Sequence, residues 1–239
     1  MVGKSGKTPS PGAGAKRGLA VRLRSARSHS PASQRWLARQ LNDPYVAAAK
    51  AQGWRSRAAF KLIEMDDRYH LLRKGARVID LGAAPGGWSQ VAVQRGARQV
   101  IGLDLLAIDP VPGATFLAGD FNDADMPARL RALLGGPDPA GGADLVLSDM
   151  APNTTGHAAT DHIRIVALTE LALDFACQVL VPGGAFVAKV FQGGAERQLL
   201  EPLKRRFTTV RHAKPAASRK ESSELYVVAT GFRGAGPAG

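Results

Sequence analysis

The stretch Asp80-Leu81-Gly82-Ala83-Ala84-Pro85-Gly86-Gly87-Trp88 decides how the chain is read. It completes residues 77–81 (Arg-Val-Ile-Asp-Leu), a short run that reads as a buried strand, and it opens residues 88–95, which read as a helix. Glycines at a strand-to-helix turn permit a tight bend and let the backbone approach a ligand at the carboxyl edge of a sheet. Downstream, strands and helices alternate. Residues 99–103 and 115–117 read as the second and third strands, 126–134 as a helix and 135–142 as a Gly/Pro loop. Residues 143–148 form a fourth strand, and a long helix over 161–180 stops at Pro182-Gly183-Gly184. Residues 185–191 give a fifth strand, 195–207 a helix, and 208–213 and 225–230 the sixth and seventh strands. Upstream, Trp36-Leu37 and residues 45–51 suggest short helices, and a further helix starts at Ser56 with Ala59, Phe60, Ile63 and Tyr69 at helical spacing. This alternation predicts an α/β fold with a seven-stranded, mostly parallel sheet and helices on both faces. The last two strands are joined without a helix, which predicts an antiparallel hairpin at one end.

Composition bounds the function. The 239 residues are 45% hydrophobic and fit one domain plus a tail. No run of 18 apolar residues can span a membrane, and no apolar stretch follows the basic N-terminus as in a secretory signal. Cys177 has no partner cysteine and reads as a core residue; no Cys/His cluster has zinc spacing, and His157 and His162 read as polar loop residues. A cytoplasmic protein without metal or disulfide is expected. The net charge of +12 hints at an anionic partner, but nine of those charges lie in residues 1–42, which contain no acid, leaving +3 for the rest. Residues 1–32 are expected to be a disordered basic arm, either tracking phosphates or only solubilising; the folded domain runs over 33–233, and 234–239 is a flexible end.

Acidic residues close successive strands. Asp104 ends the second strand, where a carboxylate can hold ribose hydroxyls, and Asp120 follows the third in Gly119-Asp120-Phe121. Dinucleotide and S-adenosylmethionine sites share this arrangement, so spacing alone does not separate them. Ala84 in place of the second fingerprint glycine, the stiff Pro85 and a third acid suited to an adenine amino group all favour S-adenosylmethionine. Asp149 ends the fourth strand in Ser148-Asp149-Met150-Ala151-Pro152-Asn153. Lys189 interrupts the fifth in Val187-Ala188-Lys189-Val190-Phe191, a costly place for a lysine unless it is paired. Glu224 opens the last strand and Lys61 sits on the helix before the sheet; taken singly, both read as surface charges.

Taken together, these segments closely resemble the bacterial FtsJ-type ribose 2′-O-methyltransferases of large-subunit ribosomal RNA. The resemblance is carried by Asp80 to Gln90, Ser148 to Asn153, Val187-Ala188-Lys189-Val190-Phe191-Gln192-Gly193, Glu224 to Gly231, and the upstream Asp43-Pro44-Tyr45-Val46 and Arg55 to Leu62. It implies a Rossmann-like class I methyltransferase fold. It also places the family's Lys-Asp-Lys-Glu tetrad on Lys61, Asp149, Lys189 and Glu224, and its S-adenosylmethionine contacts on Gly86, Trp88, Asp104, Asp120 and Asp149. The implied partner is large-subunit ribosomal RNA within the 50S particle, methylated by a monomer on a uridine ribose, with no metal and no membrane. In that chemistry Lys189 acts as base or electrostatic guide, Lys61 supplies a second cation or orients the ribose, and the carboxylates hold the lysines. Arg55, Arg57, Lys61, Lys204, Arg205, Arg206, Arg211, Lys214, Arg219 and Lys220 are candidates for a phosphate-binding rim, or are solvated charges. The alternatives are a noncatalytic ribosome-assembly factor that binds RNA, an NAD-dependent oxidoreductase, and a 2′-O-methyltransferase acting on tRNA or a messenger cap.

Overall fold

The computed structural model describes Ser30, Gln34, Leu37 and residues 41–234, apart from 136–141, 153–155, 193–195 and Lys220. The expectations for the tail (Ser30 excepted), for Trp36, for residues 235–239 and for most of the 135–142 loop lie outside the described residues.

Helix α1 (Pro44–Ala51) starts where the Asp43 carboxylate accepts the Tyr45 N–H at 3.0 Å and Pro44 supplies a pre-set φ. Helix α2 (Ala58–Tyr69) follows, then strand β1 (Arg77–Leu81), helix α3 (Gly87–Gln94), β2 (Gln99–Asp104) and β3 (Ala114–Ala118). The chain continues through α4 (Met126–Leu133), β4 (Ala143–Ser148), α5 (Ala158–Val179), β5 (Leu180–Phe191), α6 (Glu196–Arg206), β6 (Phe207–Ala213) and β7 (Glu224–Phe232). The seven strands form one sheet in the order β3-β2-β1-β4-β5-β7-β6, with β7 antiparallel to both β5 and β6 and every other pair parallel. The expected α/β class, strand count and antiparallel end are all present.

The chain begins at the middle of the sheet, winds outward to β3, and crosses back to β4. The carboxyl ends of β1 and β4 therefore diverge into opposite loops, the place where open α/β sheets take ligands. Strand parity divides the core into two layers. Ile79, Ile101, Val146, Phe186 and Val227 point to one face and pack with residues of α4, α5 and α6. Their neighbours Val78, Val100, Leu145, Val187 and Val228 point to the other, against α1, α2 and α3. Near-continuous apolar strands are what burial on both faces requires.

Two boundaries depart from expectation. Helix α5 ends at Val179, and Pro182-Gly183-Gly184 lies inside β5 rather than before it. Ala143 pairs with Leu180 and Leu145 with Ala185, so residues 181–184 bulge out of the ladder. Pro182 has no N–H to donate and Gly183 sits at φ +83°, so neither can continue the pairing. Among the described residues no helix is long and apolar enough to cross a membrane.

Candidate active site

The β1–α3 turn is shaped by two glycines in the left-handed region. Gly82, at φ +77°, lies so close to the segment leaving β4 that a β-carbon would fall 2.7 Å from the Met150 nitrogen. Gly86, at φ +99°, caps α3, and a β-carbon there would meet the Arg55 guanidinium at 3.1 Å. Backbone bonds from Gly82 and Ala83 to the Leu103 carbonyl, and from Asp149 to the Leu81 carbonyl, lock the turn between the ends of β2 and β4. The crevice so formed is a cavity of about 590 Å³, lined by Gly82, Ala84, Asp104, Leu105, Asp120, Asp149, Met150 and, from α5, Arg164, Leu168 and Leu171.

Of the residues expected at the cofactor, Asp104, Asp120 and Asp149 line this cavity. Asp104 is oriented by the N–H groups of Ala84 (2.9 Å) and Leu106 (3.0 Å), one on each oxygen, leaving lone pairs for ligand hydroxyls. Asp120 accepts both the backbone and the side-chain N–H of Asn122, which holds its carboxyl below the usual range and keeps it ionised. Gly86 and Trp88 do not line the cavity. The Trp88 indole is buried in the α1–α3 layer, donating to the Ala58 carbonyl at 2.8 Å, so toward a ligand it offers only its backbone in the first turn of α3. Among the described residues the lining carries three carboxylates against one cation, Arg164, which suits a cationic ligand with ribose hydroxyls better than a pyrophosphate.

Buried beneath this turn is Asp80, whose one oxygen accepts from Ser89 Oγ at 2.7 Å while the other has no hydrogen-bond partner among the described residues. Burial raises its pKa to about 7, against the lowering effect of Ser89 and with help from the nearby Asp149 and Asp104. Because the folded value exceeds the unfolded 3.8, the native state favours the protonated acid. The stability it lends is full below about pH 4, declines as pH rises toward 7 and is gone above it, a span of at most about 4 kcal/mol. Asp80→Asn, a neutral isostere, should match the wild type in acid and exceed its melting temperature increasingly from pH 4 to 7. Parallel stability curves for the two proteins would show that Asp80 is ionised throughout.

The four residues of the expected tetrad converge on the α2 side of the sheet. Parity accounts for it: Asp149 continues the face of Leu145 and Leu147, Lys189 that of Val187, and Glu224 that of Val228. Lys189 is 9% exposed, and its Nζ reaches the Asp149 carbonyl at 2.6 Å and the carboxylate Oδ1 at 3.0 Å. From α2, Lys61 Nζ donates to Glu224 Oε2 at 2.9 Å and to the Tyr226 hydroxyl at 3.1 Å. Tyr226 in turn donates to Asp149 Oδ1 at 2.7 Å, and Ser218 Oγ donates to Glu224 Oε1 at 2.8 Å. Burial by itself would raise the Asp149 carboxyl, but Lys189, Lys61 and the hydrogen bonds of Tyr226 and Lys189 outweigh it and hold its pKa below the ordinary value.

Tyr226 was not singled out from the sequence, yet it joins the two lysine–carboxylate pairs. It stands opposite Lys189 in the β5–β7 register, is fully buried and packs against Trp88 with ring centroids 5.6 Å apart. Burial, followed by the neighbouring carboxylates, pushes its hydroxyl well above 10, so it stays a proton donor and cannot serve as the base. Its spacing two residues after Glu224, on the same strand face, was the available signal. Tyr226→Phe removes one hydrogen bond to an ionised carboxylate and one from an ammonium. A loss of about 10- to 100-fold in kcat, with cofactor affinity retained, is expected. Wild-type turnover would show that the two pairs act independently.

The proposed basic rim is only partly realised. Arg57 bonds to the Asp43 carboxylate and the Ala217 carbonyl, and Arg55 to three backbone carbonyls. Lys204, Arg205 and Arg206 close α6, which packs on the face opposite α2. Nearer the tetrad, Lys61 and Glu224 border a second cavity of about 360 Å³ together with Arg57 and Arg219.

Comparison with known proteins accords with this geometry. The family described as FtsJ-like methyltransferase matches residues 54–232. A Granulibacter bethesdensis protein named Ribosomal RNA large subunit methyltransferase E is 75% identical over 217 residues, 91% of this chain and 92% of that one. Its namesake in Gluconobacter oxydans is 67% identical over 217 residues, 91% of this chain and 79% of its own. Among solved structures, one described as a ribosomal RNA methyltransferase from Plasmodium falciparum is 32% identical with a TM-score of 0.67, covering 76% of this chain and 100% of that one.

Proposed function

The chain belongs to the FtsJ-like methyltransferase family, and from that premise we propose that it transfers the methyl group of S-adenosylmethionine to a ribose 2′-hydroxyl of large-subunit ribosomal RNA. The observation that carries this reading is the Lys61–Glu224, Tyr226 and Asp149–Lys189 network placed at the edge of the carboxylate-lined cavity. The names of the relatives support large-subunit ribosomal RNA as the substrate, and a uridine within the assembled 50S particle is the specific target proposed. Action in the cytoplasm, as a monomer, completes the proposal.

When bound, S-adenosylmethionine supplies an electrophilic methyl group on a sulfonium. Asp104 would hold its ribose hydroxyls, Asp120 its adenine amino group and Asp149 its methionine end. The nucleotide would enter from the second cavity, where Lys61 and Arg219 would face the RNA backbone. Lys189 would first release its ammonium proton to solvent and then, as the neutral amine, contact the 2′-oxygen and take its proton as the carbon–oxygen bond forms, since a ribose hydroxyl is too weak an acid to ionise first. Asp149, held ionised, fixes Lys189; Glu224 and Tyr226 fix Lys61. An NAD-dependent activity finds little support in this cavity, where Arg164 is the one cation among the described lining residues.

Incubating the purified protein with tritiated S-adenosylmethionine and 50S particles tests the proposal. Label should appear in a 2′-O-methylnucleoside of large-subunit RNA. Label in transfer RNA instead would redirect the substrate, and RNA binding without any label would make the chain an assembly factor.

A further inference from the structure

Arg55 has no part in the tetrad and does not line the cavity, yet its guanidinium is spent on backbone carbonyls. Nη1 donates to the Pro85 carbonyl at 3.1 Å and to the Asp109 carbonyl at 2.5 Å, and Nη2 to the Pro110 carbonyl at 2.5 Å. Pro85 belongs to the glycine turn after β1. Asp109 and Pro110 belong to the loop after β2, and both the strand's last residue, Asp104, and the loop's first, Leu105, line the cavity. One side chain therefore joins the two loops that bound the cavity at the ends of β1 and β2.

Its own anchorage is equally specific. The Arg55 N–H donates to Gln90 Oε1 at 2.8 Å, and Gln90 Nε2 donates to the Gly53 carbonyl at 3.2 Å, so α3 grips the 53–55 segment from both sides. The absence of a side chain at Gly86 makes room for the guanidinium: a β-carbon there would lie 3.1 Å from Nη1 and 3.3 Å from Cδ. An arginine is suited to the task, because its planar fork can satisfy several carbonyls at fixed angles where a lysine offers one point charge. Six residues further on, the same segment carries Lys61 of the tetrad.

We propose that Arg55 is a positioning residue for the cofactor, a clamp that sets the separation of the glycine turn and the post-β2 loop, rather than a contact for RNA phosphate. The clamp rests on the reading of this cavity as the S-adenosylmethionine site. It acts through the two loops: with them held, Asp104 and the turn present a pre-formed surface, and without the guanidinium binding must first order them.

Calorimetry with S-adenosylmethionine on the full chain, paired with steady-state kinetics and RNA binding, tests this. Arg55→Ala should raise the cofactor Kd and KM by about tenfold or more, as expected for lost charge-assisted hydrogen bonds, with a smaller change in kcat and none in RNA affinity. Arg55→Lys should fall between Arg55→Ala and wild type, and it decides the matter alone if the alanine variant does not fold. Unchanged cofactor affinity with weaker RNA binding and a shallower salt dependence would overturn the clamp in favour of a phosphate contact. Wild-type values throughout would overturn it as well. Failure of the wild-type protein to bind S-adenosylmethionine would instead overturn the function proposed above.

Discussion

Replacing Lys189 by methionine is expected to lower the rate of methyl transfer by about 10²–10⁴-fold while leaving S-adenosylmethionine affinity near wild type. Methionine can occupy the path of the lysine stem between Val187 and Phe191, so packing is preserved and only the amine is lost. Lys189 does not line the cavity, which is why the cofactor should not sense the change. The Asp149 carboxylate loses its closest cation but keeps the Tyr226 hydroxyl at 2.7 Å, and Lys61 remains beyond that hydroxyl. A variant that binds cofactor normally and retains more than a tenth of the wild-type kcat would remove Lys189 from the reaction.

The second large effect belongs to Asp149. Asp149→Ala leaves the Lys189 ammonium buried with, among the described residues, only a backbone carbonyl, and breaking a buried pair from one side costs about 3–5 kcal/mol. Activity should fall with stability, since the same carboxylate orients Lys189 and borders the cavity. Acid titration gives an independent check. The folded pKa of Asp149 lies below its unfolded value, so its stabilisation is present above that unfolded value and disappears as pH falls through the folded one. Asp149→Asn should therefore lose most of its disadvantage relative to wild type in strong acid. Combining Lys189→Met with Asp149→Asn should cost less stability than the two single changes added, because the double variant contains no orphaned charge. Strict additivity would mean that the pair is not coupled.

Much of this was legible in the residues themselves. The glycine turn, the acids at or just beyond the ends of β2, β3 and β4, and the lysine inside an apolar strand mark a cofactor crevice with a charged group beside it, because each costs free energy that packing does not explain. Parity carries further than the expectation took it. Once β5 and β7 are paired, Lys189, Glu224 and Tyr226 must share a face, and the tyrosine follows from the same rule. It was passed over because a tyrosine in Leu225-Tyr226-Val227-Val228 looks like ordinary strand filling. The β5 bulge was missed for a different reason. Proline and glycine end a helix reliably, but whether the chain then loops or pairs depends on β4, more than thirty residues away. The Arg55 contacts are longer-range still, joining residues 30 and more positions apart through their backbones, and backbone acceptors leave no mark in side-chain chemistry. For the same reason the arginines of the 55–61 segment read as an RNA surface, although their guanidiniums meet carbonyls and Asp43.

The most direct measurement maps ribose 2′-O-methylation across large-subunit RNA from cells with the intact gene, without it, and with the Lys189→Met form restored in its place. The expected result is one methylated position that vanishes with the gene, returns with the wild-type protein and does not return with Lys189→Met. An unchanged map in cells lacking the gene, or full methylation restored by the methionine variant, would contradict the account.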